Sequence, residues 1–156
     1  VKKLGEFVGP KSGTSNLLII DGVPYDVKPE LAEYFNYGVV QAYNSGSYAN
    51  LQSRFNRAAA RGWKPEQYIF AETFEGGNAA KGGVPHTLED GKTRVPSLIG
   101  MAHFLPEYNG KKATRKGGCG TYHMENDYDN WPNYKYTRQA IQIMQTHRDT
   151  VATTKP

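Results

Sequence analysis

Four short apolar runs, each followed by a helix-compatible stretch, constrain this chain more than any other feature. The runs are Asn16-Leu17-Leu18-Ile19-Ile20-Asp21-Gly22, then 37–44, 67–74 and 117–124. Each is too short for a buried helix and reads as a buried strand. Residues 29–35 suit a short helix. Residues 48–61 suit a longer one, with Leu51, Phe55, Ala58 and Ala59 at helical spacing and Gly62 as its stop. Residues 96–104 make a third helix, opened by Pro96. Residues 134–147 make a fourth, with Ala140, Ile141 and Met144 on one face. Strand and helix in strict alternation imply a parallel sheet with helices packed outside it.

The intervening segments have their own signals. Residues 1–8 read as the last turns of a helix, with Val1, Leu4 and Val8 near one face and Gly9-Pro10 ending it. A domain seldom opens in that way, so an earlier segment is expected. Residues 75–95 and 108–116 are rich in Gly, polar and charged residues and read as loops. A complete eight-stranded α/β barrel takes roughly 250 residues. Four units in 156 residues make half of one. A small open α/β sheet is the other fold the pattern allows. Its nucleotide-binding form is disfavoured, because no glycine-rich phosphate loop follows the first strand.

Composition removes several function classes. Hydrophobic residues make up 38% and aromatics 12%, enough for a packed core. The 11 Tyr suit flat amphipathic ligands such as sugars, because the ring has an apolar face and a polar tip. The net charge of +4 comes from basic residues that are scattered, apart from Lys111-Lys112 and Arg115-Lys116. A nucleic-acid partner is therefore not expected. Cys119 is the single cysteine, so no intrachain disulfide forms, and its glycine neighbours suit a small buried residue rather than a nucleophile. No run of about 18 apolar residues exists to span a membrane, and no signal peptide is seen.

Ligands of parallel α/β folds bind at the carboxyl ends of the strands. The second run ends Gln41-Ala42-Tyr43-Asn44, and alternation puts Gln41 and Tyr43 on one face. The third ends near Glu72, with Phe70 on the same side. The fourth ends with Tyr122, Met124 and Asn126 on one side and His123 and Glu125 on the other. Amides and carboxylates bond sugar hydroxyls, and aromatic rings stack on pyranose faces. The plainer alternative is that Gln41 and Glu72 satisfy one another inside a barrel.

These residues carry a family resemblance. Val39-Val40-Gln41-Ala42-Tyr43-Asn44 resembles the sixth barrel strand of glycoside hydrolase family 18. Phe70-Ala71-Glu72-Thr73-Phe74-Glu75-Gly76-Gly77 is similar to the seventh strand and glycine turn of its endo-β-N-acetylglucosaminidases. Gly117-Gly118-Cys119-Gly120-Thr121-Tyr122 resembles the Lys-Gly-Gly approach to the eighth strand, and Tyr122 to Tyr128 resembles the secreted gut-type branch. The resemblance covers roughly residues 1–147 and implies the C-terminal half, strands five to eight, of a TIM (β/α)8 barrel. That half would occupy residues 1–148, with 149–156 a tail.

The resemblance also implies a chemistry. The substrate's own N-acetyl oxygen attacks the anomeric carbon, a Glu protonates the leaving oxygen, and an Asp orients the acetamido group. Tyr43 would hold that group. Gln41, Asn44, Glu72, Tyr122, Glu125 and Asn126 would bind the sugar. The partners would be an N-glycan or chitooligosaccharide and the missing N-terminal half-barrel, on the same or another chain. The parent would be secreted, periplasmic or on the cell surface.

The family's acid lies in an Asp-x-x-Asp-x-Asp-x-Glu run on the fourth strand. Here the nearest stretch runs from Asp21 to Glu30, where Asp26 and Glu30 are four apart and Pro24 and Pro29 exclude a strand. The expectation is a chain inactive on its own. The series His123, Glu125, Asp127, Asp129 has a single His and reads as a solvated loop, so neither a metal nor another cofactor is expected. His86, His103 and His147 are scattered and carry no signal. Two rival readings remain: a family 18-like barrel that holds glycans without cutting them, and an unrelated small α/β domain. An exposed apolar edge near residues 17–20 would argue against the second.

Overall fold

A computed structural model describes residues 1–76 and 81–153, with side chains described as far as His147. The strands are β1 (Ile19–Gly22), β2 (Tyr37–Gln41), β3 (Tyr68–Thr73), β4 (Pro85–Thr87), β5 (Arg94–Pro96), β6 (Glu107–Tyr108), β7 (Lys111–Lys112) and β8 (Gly118–Tyr122). The helices are α1 (Tyr48–Ala59), α2 (Ser97–His103) and α3 (Lys135–Thr153). β1, β2, β3 and β8 form one sheet in that order, and each neighbouring pair is parallel. These are the four strands that the apolar runs predict.

The register divides the sheet into two unlike faces. Partnered residues of parallel strands point to the same side. One face carries Val40, Ala42, Tyr68 and Phe70, all fully buried, together with Cys119. α1 closes over it with Leu51, Phe55 and Ala58. Burying each Leu or Phe contributes about 1.5–3 kcal/mol. Ser47 caps α1 by accepting from the Asn50 N–H at 3.2 Å. The other face carries Ile19 and Asp21, then Tyr37, Val39 and Gln41, then Ile69, Ala71 and Thr73, then Gly118, Gly120 and Tyr122. Ile19 is 47% exposed and Tyr122 is 51% exposed.

Two glycines are required by close approach. A Cβ on Gly38 would lie 2.8 Å from the Trp63 ring, which is locked in place by its Nε1–H donating to Pro24 O at 2.9 Å. A Cβ on Gly117 would lie 2.9 Å from the Tyr68 backbone. The Lys116-Gly117-Gly118 lead-in thus brings β8 against β3, with Gly117 N–H donating to Tyr68 O at 3.0 Å.

Several expectations are corrected. Residues 1–8 hold only a single 3-10 turn, Leu4–Glu6, and Phe7 is 61% exposed. With no packing surface over Leu4 and Phe7, a longer helix has nothing to stabilise it. The run at 16–22 is not a buried strand. β1 lies at a sheet edge, and Leu17 is 57% exposed. Within 75–95, β4 and β5 form an antiparallel hairpin. Its turn is built by Asp90, which accepts from the N–H groups of Lys92 and Thr93 at 2.9 and 2.8 Å. Gly77 of the proposed glycine turn lies outside the described residues. Within 108–116, β6 and β7 make a second small hairpin. α3 runs on to Thr153, beyond the expected end near 148, because no Gly or Pro interrupts 135–153. Residues 154–156 of the expected tail lie outside the described residues.

His86 carries no sequence signal, yet it pins the first hairpin. Its ring is fully buried, and Nδ1 lies 2.7 Å from Ser45 O, which ties β4 to the loop after β2. Burial holds its pKa below the usual histidine value.

Candidate functional site

The carboxyl end of the uncovered face is where the predicted polar residues meet. Gln41 is exposed there and pairs in register with Ala71, which pairs with Gly120. Two small residues beside Gln41 leave a shallow depression, and a Cβ on Gly120 would meet nothing within 4 Å. One row further on, Thr73 pairs with Tyr122. The Tyr122 ring stacks on Tyr43 with centroids 6.3 Å apart and planes 23° apart. The depression is thus bounded by a two-ring aromatic wall, a surface suited to a pyranose face.

The electrostatics keep Tyr43 protonated. Its phenol is pushed above the usual tyrosine value, first by burial and then by the negative fields of Asp21, Tyr122, Glu75 and Glu72. A phenol that keeps its proton is a hydrogen-bond donor across the physiological range. Asp21, at the end of β1, is therefore part of the site's surroundings. It is not among the residues that the sequence pattern singles out for the site, although it shares a face with Val39, two residues before Gln41.

Glu72 stands behind the site rather than in the depression. It is fully buried on the face shared with Phe70, and its Oε1 accepts from Asn44 N–H at 3.1 Å and Thr73 N–H at 2.8 Å. It ties the end of β2 to the end of β3. It also supports Asn44, whose φ of 59° is the left-handed conformation that Asn tolerates. The pairing of Gln41 with Glu72 that the plainer reading supposed is not made, because the two lie on opposite faces.

Beyond β8, strand alternation ends at His123, whose φ is 58°. The turn swings its ring edge-on against Tyr122, with centroids 4.2 Å apart and planes at 69°. His123 Nε2 lies 3.1 Å from Glu75 Oε1, and Nδ1 lies 2.5 Å from Glu125 Oε1. Its pKa is raised, first by the Glu125 hydrogen bond. Glu125 is therefore at the rim, held by His123. Asn126 donates from Nδ2 to Phe74 O at 3.0 Å, which fastens the turn to the end of β3. Asp127 is fully buried at the start of α3, where it accepts from Thr137 N–H at 2.8 Å and Asn130 Nδ2 at 2.9 Å. A carboxylate is favoured at that end of a helix dipole.

A cavity of about 980 Å³ lies beside the depression, between β8 and α3; Gly120 lines it, but none of the predicted site residues do. Lys116 lines it, buried, with Nζ donating to Ala102 O at 2.8 Å at the end of α2. Burial lowers its pKa to about 8. Among the described residues, no group of three or more His, Cys, Asp or Glu is arranged to hold a metal ion. Among them, too, no helix is long and apolar enough to cross a membrane.

Comparison with known proteins bears on the fold as a whole. The family model described as Glycoside hydrolase family 18, BT1044-like, matches residues 1–143. A solved structure, a selenomethionine form of BT1044 with a glutamate-to-glutamine substitution, superposes with a TM-score of 0.69 at 27% identity. The match covers 86% of this chain and 40% of that one, so the chain spans less than half the length of the structure it resembles. No curated protein matches.

Proposed function

The chain belongs to glycoside hydrolase family 18, in its BT1044-like group, and from that premise we propose that it supplies strands five to eight of a glycosidase barrel cleaving between the two core N-acetylglucosamines of N-glycans. One observation carries the reading. Gln41, Tyr43 and Tyr122 converge at the carboxyl end of the sheet face that none of the described helices covers, around a depression floored by Ala71 and Gly120. In a barrel that face points inward, and that end holds the substrate.

In this reading Tyr43 donates its O–H to the acetamido oxygen and fixes it for attack on the anomeric carbon. Holding a nucleophile of the substrate itself in attack geometry supplies several kcal/mol of the barrier. Gln41 bonds the same sugar from the floor. Tyr122 stacks beside Tyr43. Glu72 acts through Asn44 and the strand end. The acid and the Asp that orients the acetamido group come from strand four, whose motif this sequence does not contain. The free edges of β1 and β8 are where the remaining strands pair.

The test compares the purified chain with the full-length product of its gene on an N-glycosylated protein, read by intact mass. The full-length product is expected to release glycan and leave a single N-acetylglucosamine on the asparagine. The chain alone is expected to release none. Release by the chain alone, or release that leaves the asparagine bare, overturns the proposal.

A further inference from the structure

We propose that His123 is a positioning residue: clamped as an imidazolium between Glu75 and Glu125, it holds Tyr122 as the second wall of the sugar site, and the wall loosens when the clamp loses its proton. This rests on the glycan reading of the open face.

The protonation follows from the contacts. Ionised carboxylates only accept hydrogen bonds. His123 meets one at Nε2, 3.1 Å from Glu75, and another at Nδ1, 2.5 Å from Glu125. Nδ1 is hydrogen-bonded to Glu125 and Nε2 lies at ion-pair distance from Glu75, so two carboxylates favour the cationic ring. The two carboxylates come from different elements, Glu75 from the segment after β3 and Glu125 from the turn after β8. The clamp therefore joins the ends of two neighbouring strands.

Its ring is what Tyr122 leans on. Tyr122 has His123 edge-on at 4.2 Å on one side and Tyr43 at 6.3 Å on the other. With about half its surface exposed, Tyr122 has little else to fix its rotamer. The left-handed backbone at His123 is what turns the imidazole back onto Tyr122 instead of across the sheet. The groups facing this cluster are Glu75, Glu125, the two phenols and, beyond Tyr43, Asp21 and Glu72. Among the described residues no lysine or arginine is among the groups that shift His123 or Tyr43, so loss of the imidazolium leaves Glu75 and Glu125 mutually repelling. A neutral ring can donate to one of them only. One carboxylate then swings away, and the imidazole and Tyr122 become free to turn.

The experiment has two arms on the full-length product of the gene. In the first, without sugar, the ring resonances of His123 and Tyr122 are followed by NMR from acid to alkaline pH. His123 is expected to titrate above ordinary imidazole, and Tyr122 to report the same midpoint. In the double variant Glu75→Gln, Glu125→Gln the His123 midpoint is expected to fall to the ordinary value. Tyr122 moving independently of His123, or a midpoint that the double variant leaves unchanged, overturns the clamp.

In the second arm, N,N′-diacetylchitobiose is titrated on either side of that midpoint. Binding is expected to be several-fold tighter on the acid side, and uniformly weak in His123→Gln. Equal affinity on both sides overturns the positioning role. No binding on either side, with Tyr122 still following His123, contradicts the glycan reading while supporting the clamp.

Discussion

The residue scale separates what alternation reveals from what it conceals. Gln41 and Tyr43 were legible because an apolar strand ended in polar residues two apart, and their shared face is the open one. Glu72 was legible as a strand-end carboxylate but not in its role. The fully buried Phe70 two residues earlier marks that side as the helix-covered one. A carboxylate there must satisfy backbone donors. Glu72→Ala would strand the Asn44 and Thr73 N–H groups and leave a void, at about 3 kcal/mol. Urea unfolding checks this, and a loss below about 1 kcal/mol would mean water replaces the carboxylate. The sequence pattern carries the fourth strand through His123, because nothing in it announces a left-handed residue there. Only the ring contact with Tyr122 gives it a role.

At the scale of elements, α1, α2, α3 and the main strands were legible from helical spacing and apolar runs, whereas the helix expected over 1–8 is only a 3-10 turn. The two hairpins were not legible, since strands of two or three residues have no period to read. They are fixed instead by tertiary bonds, such as His86 to Ser45 and Asp90 to its own turn. The expected strand at 16–22 shortened to β1 because an edge strand lacks a second partner. These packings set the pH dependence. His86 on β4, His103 on α2 and His147 on α3 all have pKa values lowered, first by burial. His103 and His147 also feel the Lys116 charge. Their folded values lie below the unfolded one, so as pH falls the unfolded chain takes up protons first. Their contribution is complete above the ordinary histidine value and is lost as pH drops through it. The urea midpoint is therefore expected to fall between about pH 7 and about pH 5. His123, with its raised value, contributes in the opposite sense, present in acid and lost as pH rises, but it is a rim group and screened. A midpoint that rises on acidification would place the rim above His86, His103 and His147.

Across the whole molecule, the count of strand-helix units indicated a sheet of four parallel strands, and the sheet is there. Its open face and both edges are what sequence could not display, because apolar runs look alike whether covered or open. Leu4, Phe7, Leu17 and Ile19 are exposed near β1, and Met124 and Ile141 near β8. Such edges invite pairing with further strands. Purified chain is expected to self-associate in sedimentation velocity, and Ile19→Lys to reduce the association while the far-ultraviolet spectrum holds. Wild-type chain that stays monomeric at high concentration would indicate a self-sufficient small domain. The central claim, that this open face holds an acetamido sugar through Tyr43, is tested most directly by Tyr43→Phe in the full-length product, assayed on an N-glycoprotein. Deleting one hydroxyl that acts on the attacking acetamido oxygen is predicted to lower kcat about a hundredfold, with little change in KM. Wild-type kcat in Tyr43→Phe would contradict it.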